Sequence, residues 1–210
     1  MSRKRIRALT LSAALVGWSF TAGLEQPWRR HPVIQAGLGT ALALLAGAPL
    51  GLRAHALRRG SALGGAVAGI VTAGVLAAMT LAPVRSAMRE RTLPVRPGRW
   101  LAVEIPLGTV WSEETAFRGA LSTVAAQAFG ARRGRLLQAV TFGLSHVADA
   151  RATGEPVIGT VAITGLAGWI FAVLAERTGS LAAPMLAHLA INESGAVAAL
   201  VVSRTAGGPR

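Results

Sequence analysis

Trp111-Ser112-Glu113-Glu114-Thr115-Ala116-Phe117-Arg118-Gly119 is the stretch that decides how the whole chain is read. It holds two adjacent carboxylates and one guanidinium, with apolar flanks from Trp100 to Trp111 and from Ala120 to Phe129. As one helix, the segment exceeds the ~20 residues that cross a bilayer. Ionisable groups inside such a segment are costly and rare, and by default they mark function. On an α-helix Glu114 and Arg118 stand at i, i+4 and share a face, so Arg118 neutralises Glu114. Glu113 is turned ~100° away and lacks that built-in partner. One carboxylate is therefore structural and the other is free to act as a base.

Outward from this stretch the chain is mostly apolar runs. It has 210 residues, 52% hydrophobic and only 15% charged, against roughly 25% charged in soluble domains, and a mean hydropathy of +0.48. These values predict an all-α, polytopic transmembrane bundle in a single membrane domain, with about seven helices and six to eight compatible with the pattern. The runs are Ala8–Leu24, Val33–Leu52, Ser61–Pro83, Trp100–Phe129, Leu136–Val147, Val157–Ala175 and Leu181–Val202. The basic Arg3–Arg7 segment ahead of the first run has the look of a signal peptide, but no A-x-A site ends it, and a first transmembrane helix is the better reading. Pro106 predicts a kink before the glutamates, while Pro184 falls in a first helical turn, where it is tolerated. Val84–Arg99 and Asp149–Glu155 read as loops, and the chain from Ser203 as a frayed tail. Gly47/Gly51 and Gly65/Gly69 form G-x-x-x-G pairs suited to close helix packing. No segment alternates as a strand does.

The net charge of +13 comes almost wholly from arginine, and there is no cysteine for disulfide or thiolate chemistry. The arginines fall between apolar runs, where they meet membrane lipid phosphates rather than nucleic acid. The two sides of the predicted bundle carry nearly equal numbers of Lys and Arg, so charge sets no orientation. The sequence sets no oligomeric state.

Three apolar helices carry the remaining polar exceptions. His146 follows Phe142 by four residues, so ring and imidazole share a face; His188 and Asn192 are also four apart. A histidine with an asparagine can donate to a developing oxyanion. Glu113, His146 and His188 could equally ligate zinc. A single intramembrane histidine is commonly a hydrogen-bonded packing residue, but three such motifs on three apolar helices point to a site. Glu104 and Glu193 read as packing or interface residues.

These residues carry a resemblance. Glu113-Glu114-Thr-Ala-Phe-Arg118 resembles the E-E-x-x-x-R motif of the CPBP family (CAAX proteases and bacteriocin-processing proteins, also called Abi). Phe142-Gly-Leu-Ser-His146 is similar to that family's F-x-x-x-H, and His188-Leu-Ala-Ile-Asn192 to its H-x-x-x-N/D. The motifs stand in the family's order within a core of about residues 98–203. The resemblance implies a multi-pass protein, expected in the cell membrane, that hydrolyses a peptide bond of a membrane-associated substrate. Carried over, Glu113 and His146 activate the attacking water and His188 and Asn192 stabilise the oxyanion. Glu114 and Arg118 support the site, and Phe142 packs behind His146. The family has been described both as metalloproteases and as metal-free, glutamate-dependent hydrolases. Arg118 beside the site favours the second, with no cofactor; the alternative is zinc on Glu113, His146 and His188. The chain is shorter than the eukaryotic members, so a prenylated substrate is not carried over. A non-catalytic immunity or scaffold role on the same fold is the competing reading.

Overall fold

In the computed structural model, residues 1–21 and 27–206 are described. The first helix, α1, is Arg3–Ser19, with the Ser2 hydroxyl accepting from the Arg5 N–H at its start. Then follow α2 (Pro32–Leu45), α3 (Ala54–Ala78) and the short α4 (Ala82–Arg89). Helix α5 runs unbroken over 97–129. The last four are α6 (Ala131–Ser145), the short α7 (Val147–Thr153), α8 (Val157–Thr178) and α9 (Ala182–Ala206). Setting aside α4 and α7, seven longer helices make an all-α bundle, and no strand occurs among the described residues.

Three helices, Ala54–Ala78, Val157–Thr178 and Ala182–Arg204, are long and apolar enough to cross a membrane. Their outer faces carry Ile70, Leu76, Ile158 and Ile163, all exposed. In lipid such side chains meet a solvent as apolar as themselves, so packing rather than hydrophobic drive joins the helices. Small residues make that packing possible. A side chain at Gly60 or Gly64 of α3 would press on Ser180 and Ala183, and one at Gly39 of α2 on the Ser112 carbonyl of α5. The Trp111 indole N–H donates to Thr40 Oγ1 at 2.9 Å, tying α5 to α2.

Helix α5 departs from a plain α-helix at Pro106. Trp100–Trp111 and Glu114–Leu121 are π-helical. Proline removes a backbone donor, and a wider turn is one local adjustment that accommodates it within a helix. Such turns are rare and occur often at functional sites. Every residue from Glu114 to Leu121 is buried.

Several boundaries differ from the sequence reading. Part of the Val84–Arg99 loop is helical, as α4, because Pro83 at its start pre-sets helical φ. Asp149–Thr153 belongs to α7, not to a loop, and Ser203–Ala206 extends α9 rather than fraying. The second run stops at Leu45. Gly47 and Gly51 lie beyond it with φ of +66° and +64°, so they serve a turn that only glycine adopts freely, not a helix contact. Gly65 and Gly69 face open space; the packing pair on α3 is Gly60 and Gly64. Residues 22–24 of the predicted first run and 207–210 of the predicted tail lie outside the described residues.

Candidate active site

Helices α5 and α6 form an antiparallel hairpin about Gly130, whose φ of +80° makes the reversal. Gly134 fits against Ala125 and Ala126, and one turn pair further in, the Arg118 guanidinium lies 4.0 Å from the centroid of the Phe142 ring. The same guanidinium is 4.9 Å from the Phe171 ring of α8. Its Nη1 is 3.1 Å from Glu114 Oε1, and both side chains are fully buried. The expected pairing of Glu114 with Arg118 is thus present, reinforced by two aromatic faces.

His188 of α9 joins this pair. Its Nδ1 lies 2.8 Å from Glu114 Oε1. A carboxylate only accepts, so Nδ1 carries the proton and Nε2 points onward. That Nε2 lies 3.8 Å from Glu113 Oε2. Phe171 stacks on the imidazole at 5.1 Å, and Phe142 meets it edge-on. Glu113, which spacing alone leaves without a partner, therefore faces His188. The order Arg118–Glu114–His188–Glu113 is continuous across α5 and α9, and an imidazole held by a carboxylate through Nδ1 is fixed in tautomer and direction.

Glu113 also reaches a cavity. About 640 Å³ of space lies among α1, α2, α5 and the α6–α7 junction, with Glu113, Ser145, His146 and Asp149 on its polar side and Leu11, Leu15, Leu38 and Leu42 on its apolar side. His146 sits at the junction with φ −91° and ψ 0°, between helical segments. Its Nδ1–H donates to the Phe142 carbonyl at 2.8 Å, leaving Nε2 as acceptor. Phe142 packs edge-on against it at 4.7 Å.

The structure thus joins Glu113, Glu114, Arg118 and His188, and sets Glu113 and His146 on one cavity. His188 is buried behind Glu113 rather than on the cavity wall, and Asn192 is not on the wall either. The Asn192 Nδ2 donates to the His188 carbonyl at 3.1 Å, which spends one of its two N–H groups on its own helix. Among the described residues no group of three or more His, Cys, Asp or Glu side chains gathers as a metal site does. Sequence reasoning missed Phe171 and Asp149. Phe171 is an ordinary apolar residue in an apolar helix and gives no signal; Asp149 was assigned to a loop. Glu104, read as a packing or interface residue, pairs with Arg99 at 3.2 Å and lines the cavity.

Helices of this length and apolarity define a membrane protein, and a buried Glu/Arg/His/Glu cluster beside a cavity defines a candidate hydrolytic site. Residues 96–193 match the family model of the type II CAAX prenyl endopeptidase Rce1-like proteins. That segment contains all three motifs, and over it the chain is similar to the CAAX-type proteases of the CPBP family that this model represents. No curated protein and no solved structure matches the chain.

Proposed function

We propose that this protein is a multi-pass intramembrane endopeptidase of the cell membrane that hydrolyses a peptide bond of a membrane-associated substrate. The observation that carries the reading is the placement of Glu113: its carboxylate faces His188 Nε2 and lies on the cavity wall together with His146.

Glu113 takes a proton from water while His146 Nε2 accepts the water's other hydrogen bond, and the hydroxide forms a bond to the carbonyl carbon. For His188, in its imidazolium form, to donate to the oxyanion from Nε2, and Asn192 from the N–H it does not give to its own helix, the substrate carbonyl has to reach inward past Glu113, behind which His188 lies. In that state Glu113 is protonated, and the Glu114 carboxylate and the oxyanion balance the Arg118 guanidinium and the His188 imidazolium, so no net charge is left in the low-dielectric site. Glu113 then returns the proton to the leaving nitrogen as the C–N bond breaks. Glu114, Arg118 and Phe142 hold the geometry. Membrane lipids surround the enzyme, and no cofactor takes part in the steps.

The test is cleavage of a peptide library presented on liposomes that carry the purified protein. Wild type should yield discrete products. Glu113→Gln should lower turnover about a hundredfold or more, as removal of a positioned base does. Equal cleavage by both proteins removes the reading.

A further inference from the structure

Gln138 of α6 is fully buried, and neither its amide nitrogen nor its amide oxygen has a hydrogen-bond partner in the protein. Ser122 Oγ of α5 is buried and equally unpartnered. So are the Nε and both Nη atoms of Arg118, whose contact to Glu114 is an ion pair. These three side chains are neighbours by register. On α6, Gly134, Gln138 and Phe142 follow at intervals of four and share a face; on α5, Arg118, Ser122 and Ala126 do the same. Gly134 rests on Ala126 and Phe142 lies over Arg118, so in an antiparallel hairpin Gln138 falls opposite Ser122, one turn from the guanidinium.

A buried amide with both ends unpartnered is costly, and native proteins meet such groups with protein or ordered water. An amide, a hydroxyl and a guanidinium offer the two to four polar partners that a buried water requires. No titratable group other than Arg118 is needed.

We propose that the α5–α6 hairpin holds a structural water site between Gln138 and Ser122, and that this site orients the Arg118 guanidinium toward Glu114. Gln138 is a positioning residue: it acts through water on Arg118, through Glu114 on His188, and so on the reacting centre. The catalytic consequence rests on the protease reading; the water site does not.

The experiment uses the full chain in lipid nanodiscs with 15N-labelled arginine, comparing wild type with Gln138→Leu and, as a smaller change, Ser122→Ala. The wild-type Arg118 Nε–H is expected to exchange slowly and to cross-relax with water. In both variants that cross-peak should be lost or its shift moved. With a cleavable substrate, Gln138→Leu should lower kcat about tenfold with KM unchanged, the size of one lost hydrogen bond to a charged group. A merely structural glutamine predicts the opposite: unchanged kcat and equal or higher stability, since leucine leaves no unpartnered group. An Arg118 signal with no water contact, or one identical in wild type and both variants, overturns the inference. So does a retained water contact with unchanged kcat in an active enzyme. The spectroscopic readout needs no turnover, so failure of the protease reading and failure of the water site are separately visible.

Discussion

Replacing Arg118 by methionine tests whether the buried ion pair is the keystone of the site. The side chain is fully buried, 3.1 Å from Glu114 and between two aromatic rings at 4.0 and 4.9 Å. Methionine keeps most of the volume but removes the charge. Glu114, itself fully buried, would then keep only its bond from His188, with Oε2 unpartnered. Stranding a buried charge costs about 3–5 kcal/mol, and loss of the ring contacts adds about 1, so Arg118→Met should destabilise by about 4–6 kcal/mol. The double variant Arg118→Met/Glu114→Gln removes the stranded charge and should recover about 2 kcal/mol or more of that loss. The assay is reversible unfolding in mixed micelles, run as a double-mutant cycle with Glu114→Gln alone. A cost for Arg118→Met below about 1 kcal/mol, or a double variant as unstable as the sum of the singles, would refute the reasoning.

Three further outcomes are expected. Gly64→Leu should loosen the α3–α9 contact and lower the melting temperature, because a Cβ there already meets Ala183 backbone atoms at 2.8 Å, whereas Gly69→Leu, facing open space, should not. Thermal unfolding of the two variants in the same detergent checks this. Phe171→Leu should lower turnover several-fold by removing the stack on His188, with retained membrane yield as the control. Exhaustive chelation of the purified protein should leave cleavage intact, while Asn192→Ala should reduce it; activity lost on chelation and restored by added zinc would favour the metal-dependent reading.

Much of the fold was legible because it rests on long-range composition. Apolar runs separated by arginine clusters give the seven longer helices. Glu114–Arg118 was legible too, because i, i+4 spacing on one helix is a local property, and it survives the π-helical turns in which the pair sits. What spacing does not show is which helices meet. The Glu114–His188 bond joins residues 74 positions apart, and it makes Glu114 the orienter of a histidine and sets Glu113 against that same imidazole. Helix ends were less visible. Gly47 and Gly51 share the spacing of packing glycines, yet backbone φ places them in a turn. Gln138 was invisible as a feature, since one amide in an arginine-flanked helix looks like a polar face until its burial is known.

The central claim is that Glu113 is the base of a hydrolytic site. The most direct measurement is the set of new peptide termini in membranes expressing the wild type against membranes expressing Glu113→Gln at equal level and equal thermal stability. Glu113 is partly exposed on the cavity and outside the Arg118–Glu114 pair, so the variant should fold as the wild type does. The account predicts termini from membrane-associated proteins that appear with the wild type and vanish with Glu113→Gln. The same termini at the same abundance in both membranes would contradict it.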